Sequence, residues 1–305
     1  MKMNLKTENI KPEIEEIIRP FIEKLTNREE VLGIMLLGGL GKRDFLDQFS
    51  DVDLSVIISN KYKDKFPLPF EFHYQHENRN IEFNVHQLIL EDELNLNNIW
   101  NESKIEAYAN AIIIYDPNNY AKQILDNKVI FDEEKAYNRL IWIIQQYKWR
   151  GQIHSLRVFE RGYPASSHDL LNNCVELLLE AVYLLHKRYL PHKKWIFAFL
   201  EQMNIDTHLI ELFEKAMFVK DFSLDTIKQR IEILDKIYEI VIKSVYEIYP
   251  DFPANPYEYY YRNFVQLNNE TLADQQFFKQ TMHKFVVNKS DEKIFGEICF
   301  NMQGL

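Results

Sequence analysis

Apolar residues recur at helical spacing near the start of the chain. Ile14, Ile17, Ile18, Phe21, Ile22 and Leu25 predict an amphipathic helix over residues 11–25, kinked or broken at Pro20. The period then changes. Residues 31–37 form an unbroken apolar run, and a second run opens at residue 52; both predict buried strands. Residues 60–69 are polar and contain proline, which predicts a loop. Residues 70–76 and 81–86 alternate, with a turn at 77–80. This predicts a hairpin with Ile81, Phe83 and Val85 on one face and Glu82, Asn84 and His86 on the other. Residues 89–111 read as helix, 111–115 as a short buried strand, 116–119 as a turn and 120–127 as a closing helix.

From about residue 132 the period is helical throughout. Residues 136–159, 168–185, 193–203, 207–218 and 224–249 each carry an apolar stripe, with breaks at Gly162-Tyr163-Pro164 and Leu190-Pro191. Ser166 or Ser167 is placed to cap the second of these helices. The whole predicts an α+β protein: an N-terminal mixed β-sheet with flanking helices over residues 1–130, then a C-terminal helical bundle over 131–305.

Composition narrows the partners. A chain of 305 residues is long for one core and agrees with two domains. Its 36 Lys and Arg against 46 Asp and Glu leave a net charge of −10, which does not favour nucleic acid. That charge suits a cationic small substrate through steering, and equally serves solubility. The two cysteines, Cys174 and Cys299, offer neither a disulfide framework nor metal-ligand spacing. The N-terminal residues lack the apolar core of a signal peptide, and no apolar run reaches bilayer length. A cytoplasmic protein with no membrane partner is the expectation.

Candidate chemistry gathers between the first two strands. After the apolar run ending at Leu37 comes Gly38-Gly39-Leu40-Gly41-Lys42-Arg43, where backbone N–H groups can approach a phosphate. Asp51 and Asp53 then open the second strand. Residues i and i+2 share a strand face, so the two carboxylates point the same way and repel unless a cation lies between them. Mg²⁺ is the usual hard cation for such a pair. Taken singly, each feature also has a plain structural reading: a tight turn, and two acids on a solvated strand edge.

Together these residues resemble the signature of the polymerase-beta-like nucleotidyltransferases: a glycine turn, a spacer, then Asp-x-Asp opening a strand. That family supplies a third carboxylate from a neighbouring strand, a slot that Ile81-Glu82-Phe83 fits. It usually carries Gly-Ser where this chain has Gly38-Gly39, and an arginine near Lys42 and Arg43. Tyr189-Leu190-Pro191-His192-Lys193-Lys194-Trp195 resembles a segment of its small-molecule (aminoglycoside and lincosamide) branch, as does the strand ending in Asp116-Pro117.

The resemblance implies an enzyme that transfers a nucleoside monophosphate, AMP from ATP, to a hydroxyl of a small molecule, as in antibiotic resistance. Asp51, Asp53 and Glu82 would be the catalytic and Mg²⁺-binding residues. Gly38, Gly39, Lys42, Arg43 and Lys194 would bind the nucleotide, and the helical region would hold the acceptor. Some relatives complete the site across a dimer, so a homodimer is compatible with it. Two alternatives stand beside this: a toxin- or antitoxin-type nucleotidyltransferase acting on a protein or RNA, and a silent nucleotide-binding module. His86 reads as a surface residue or a substrate contact, and Asp116 as a turn residue. The tail cluster Tyr257, Tyr259, Tyr260, Tyr261 and Phe264 is suited either to stacking on a base or to helix packing.

Overall fold

The computed structural model describes residues 11–43, 50–65 and 70–256, with the side chains at 41–43 and 70 left outside that description. The aromatic tail cluster and Cys299 lie outside the described residues. Helix α1 (Pro12–Thr26) runs on through Pro20 rather than breaking there. Pro20 is on the exposed face, where the carbonyl left without a partner can turn to water.

Five strands form one mixed sheet, β1 (Val31–Leu36), β2 (Val52–Ile58), β3 (Phe70–His76), β4 (Arg79–Ile89) and β5 (Ile112–Tyr115), in the order β3-β4-β2-β1-β5. Strands β2 and β4 pair in parallel; the other neighbours are antiparallel. The centre of the sheet is covered on both faces, which is why β1 reads as an apolar run and β2 does so beyond Asp53 and Ser55. One face packs Val52, Leu54, Val56, Phe83 and Val85 with Ile14, Ile18 and Ile22 of α1. The other packs Met35 and Ile57 with Leu90, Trp100, Tyr108 and Ile124. Along β2 that second face changes character: Asp53 comes first, then Ser55, whose buried hydroxyl meets the Tyr108 hydroxyl at 2.8 Å, then Ile57.

Residues 89–111 do not form one helix. They form α3 (Leu90–Leu94) and α4 (Glu102–Tyr108) with a loop between. The asparagines of that loop bond the backbone in place of helix continuation. Asn95 accepts from the Asn97 amide at 3.0 Å, and Asn101 caps α4 by accepting from the Lys104 amide at 2.8 Å. The buried Lys128 ammonium, at the end of α5 (Tyr120–Lys128), donates to the Asn95 carbonyl at 2.6 Å and to that of Asn98. Asp116 caps the start of α5, accepting from the amides of Ala121 and Lys122 at 3.0 Å each. Its role is structural, as the turn reading expected.

The helical region has the expected helices with two changes. The stripe over 136–159 divides into α6 (Glu133–Tyr147), a π-helical stretch Lys148–His154 and α7 (Ser155–Glu160). Gly151 sits in the wide turn, where a Cβ would come within 3.0 Å of Tyr147 and 3.2 Å of the Cys174 sulfur. Helix α8 (Pro164–Leu185) starts at its proline, a favoured first position. Neither Ser166 nor Ser167 caps it; the Ser167 hydroxyl instead donates to the Ser155 carbonyl at 2.7 Å. A 3₁₀ turn (Lys193–Trp195), α9 (Ile196–Gln202), α10 (Thr207–Met217) and α11 (Leu224–Ile248) follow.

The chain divides into two compact units, one of Met1–Ala136 with Leu179–Lys215, the other of Tyr137–Leu178 with Ala216–Leu305. The second unit has a buried polar knot. Arg230 of α11 is 1% exposed and donates to the Ala216 carbonyl at 2.7 Å, to His168 Nδ1 at 2.9 Å and to Asn172 Oδ1 at 2.6 Å. Burial, then the Arg230 charge, pushes the His168 imidazole below its ordinary range. Among the described residues no helix is long and apolar enough to cross a membrane.

Candidate functional site

The first unit brings the glycine turn, the aspartates and the Lys193–Trp195 turn together. Strand β1 ends at Leu36, and the chain winds at once into the short helix α2 (Gly38–Arg43). The Leu37 amide donates to the Asp53 carbonyl at 2.8 Å, so the turn is tied to β2 at the level of the second aspartate. Gly38 has φ +65, a left-handed value that glycine adopts without a Cβ penalty. A Cβ there would overlap the Asp53 carboxylate, with its Cγ at 2.9 Å. Glycine at 38 is therefore required twice, by the backbone and by Asp53.

Asp51 lies one residue before β2 and Asp53 is its second residue; both are half-buried. Burial raises the Asp53 carboxyl above its ordinary range, and the charge of Asp51 raises it further. A hydrogen bond from Asn84 and the charges of His86 and Lys194 act in the opposite sense and do not cancel the rise. A carboxylate pair held in this way is under-compensated, and a cation placed against it would relieve both causes.

The parallel register places Asp53 beside Asn84 and Ser55 beside His86. Glu82 stands on the same polar face two residues before Asn84, opposite His73 of β3, and is exposed. Among the described residues no three His, Cys, Asp or Glu side chains are gathered closely enough to hold a metal ion between them. The donor set here is the Asp53 carboxylate, placed against the glycine turn, with Asp51 close enough for its charge to act on it. That set fits Mg²⁺, which is commonly held by one or two carboxylates and completes its shell with phosphate oxygens and water.

Lys194 is exposed, and its charge reaches Asp53. Lys42 and Arg43 belong to α2, but their side chains lie outside the described residues. Asn84 has no role in the sequence reading, and Trp195 enters it only as the last residue of the segment 189–195. Alternation already placed Asn84 on the polar face, but only the strand register sets it beside Asp53. Trp195 is brought against Gly39 from 156 positions along the chain (39 to 195), a contact that the segment 189–195 does not itself signal.

No family model matches the chain, and no curated protein matches it. Among solved structures it is similar to a nucleotidyltransferase-like protein from Exiguobacterium sibiricum, at 19% identity and a TM-score of 0.41, over 76% of this chain and 75% of that one. At that distance the chemistry has to be argued from the residues of the site.

Proposed function

We propose that the protein is a metal-dependent nucleotidyltransferase that moves a nucleoside monophosphate, AMP from ATP, onto a hydroxyl of a small molecule. The observation that supports this best is the Asp51–Asp53 pair set against a left-handed glycine turn, with Asp53 raised by burial and by its neighbour. Asp51 and Asp53 are the Mg²⁺ ligands in this reading, and the ion when bound supplies positive charge against the nucleotide's phosphates.

The chain's own groups do the rest. The backbone of Gly38 and Gly39 approaches the phosphates, and Lys194 adds a cation at their edge. The acceptor oxygen bonds to the α-phosphorus as the bond to pyrophosphate breaks. Glu82, exposed on the same face, takes the acceptor's proton. Positioning and charge carry most of the rate in such transfers. An aminoglycoside or lincosamide is the acceptor suggested by the Tyr189–Trp195 segment, and the net charge of −10 suits a cationic one.

The test is pyrophosphate release by purified protein with Mg²⁺, each NTP and a panel of these antibiotics, with Asp51→Asn and Asp53→Asn as controls. Release that depends on one acceptor and is lost in both variants supports the reading. Nucleotide binding without release for any of these compounds points to a protein or RNA acceptor or to the silent module, and undiminished release in Asp53→Asn removes Asp53 from its role.

A further inference from the structure

The two glycines of the turn face different neighbours. Gly38 makes room for Asp53; Gly39 makes room for Trp195. A Cβ at Gly39 would lie 3.1 Å from Cζ2 and 3.4 Å from Cη2 of the indole. An indole cannot bend away, and its ring stacks on Phe199 with centroids 6.2 Å apart and planes at 21°. The turn that carries it is fixed at both ends. His192 Nδ1 accepts from the Lys194 amide at 3.4 Å, and the buried Tyr183 hydroxyl donates to the Ile196 carbonyl at 2.6 Å. Trp195 itself is half-buried. The Lys194 ammonium stands 5.2 Å from the centre of the same ring, within cation–π range. One rigid aromatic group therefore touches the glycine turn and holds the nearby cation whose charge reaches Asp53.

We propose that Trp195 is the positioning residue of the phosphate-binding turn. Its indole fills the volume a side chain at position 39 would need and forms the wall beside which a nucleotide's phosphates lie. It also keeps Lys194 aimed at that place. The ligand class rests on the nucleotidyl-transfer reading; the size match between Gly39 and Trp195 does not. In this chain a serine Cβ at 39 would press on the indole at 3.1 Å and push it by a few tenths of an ångström, so the two positions should tolerate change together better than singly.

The experiment is a cycle of Gly39→Ser, Trp195→Ala and the double variant, with Trp195→Phe alongside. Thermal unfolding reads the packing, and tryptophan fluorescence with Mg·ATP as probe reads the ligand. KM for ATP and kcat of pyrophosphate release read positioning. Gly39→Ser alone should lower the melting temperature and weaken Mg·ATP tenfold or more. The double variant should recover most of the loss in melting temperature and, lacking the indole, not the loss in Mg·ATP affinity. Trp195→Ala should raise KM more than it lowers kcat, and Trp195→Phe should restore KM to within about threefold. Mg·ATP should change the fluorescence of the native protein and not that of Trp195→Phe. Additive losses in the double variant would overturn the size match. A coupled cycle with unchanged fluorescence and KM would overturn the positioning role. If the native protein binds no nucleotide, the nucleotidyl reading and the phosphate wall fail together, while the unfolding cycle still decides the Gly39–Trp195 pair.

Discussion

Gly38→Ala tests the link between the turn and Asp53 most directly. The substituted residue must hold φ near +65, which costs an L-residue about 1–2 kcal/mol. Its Cβ also cannot coexist with the Asp53 carboxylate where that group now stands. The carboxylate must leave its rotamer, at about 0.5–1.5 kcal/mol. It also loses the bond from Asn84, roughly another 1 kcal/mol or more for a hydrogen bond to a charged group. Against this, a carboxylate moved outward recovers part of the burial penalty that raised it. The net expectation is a loss of about 2–4 kcal/mol, of which about 1–2 depends on Asp53. Urea unfolding of Gly38→Ala, Asp53→Ala and the double variant measures both parts. In the Asp53→Ala background the Cγ and oxygen are gone and the nearest remaining atom is Cβ at 3.2 Å, so the backbone cost should be most of what is left. A loss under about 0.5 kcal/mol, or the same loss in both backgrounds, would refute the argument that Gly38 exists to admit Asp53.

Asp53→Asn should raise thermal stability near neutral pH in the absence of metal. The folded pKa is raised, so the contribution of Asp53 is full below its unfolded value and is lost as pH rises through the folded one; the advantage of the variant should vanish in acid. Mg²⁺ with ATP should then stabilise the native protein and not the variant, in a melting series with and without metal. His168 works in the other direction: its folded pKa is lowered, so stability is present above about pH 6.5 and falls as pH drops through the folded value. His168→Gln should flatten that acid limb in unfolding curves between pH 7 and 4. Arg230→Met should destabilise by about 3 kcal/mol or more in urea, because His168 and the Ala216 carbonyl are left buried without their donor and the exposed Asn172 loses its partner. Asp116→Ala should cost about 1 kcal/mol as a lost cap and leave pyrophosphate release unchanged.

The strands were legible because period and length agree: the run at β1 is apolar on both faces and short, β2 ends in a short run of that kind over residues 56–58, and the hairpin of β3 and β4 alternates. The Asp51–Asp53 pair and the glycine turn were legible because both depend on neighbours within a few residues. What escaped depends on partners that sequence spacing does not encode. The apolar stripe over 89–111 continues in the sequence, yet side-chain oxygens of Asn95 and Asn101 compete for the backbone and end the helix between them. The parallel register that puts Asn84 beside Asp53 is set across the sheet, not along the chain. Pro20 shows the converse: a local breaker overruled by a helix whose other face is anchored in the core.

The return of Leu179–Lys215 to the first compact unit also sets an order of events during synthesis. The glycine turn leaves the ribosome 156 residues before Trp195 does (39 to 195), a delay of about 8–30 s at usual translation rates. Throughout that interval Gly39 is without its indole and Asp53 without the charge of Lys194. The nascent chain therefore carries all five strands of the sheet before the site can be complete. Pausing or truncation before residue 195 would release a protein with both aspartates in place and no wall beside the turn.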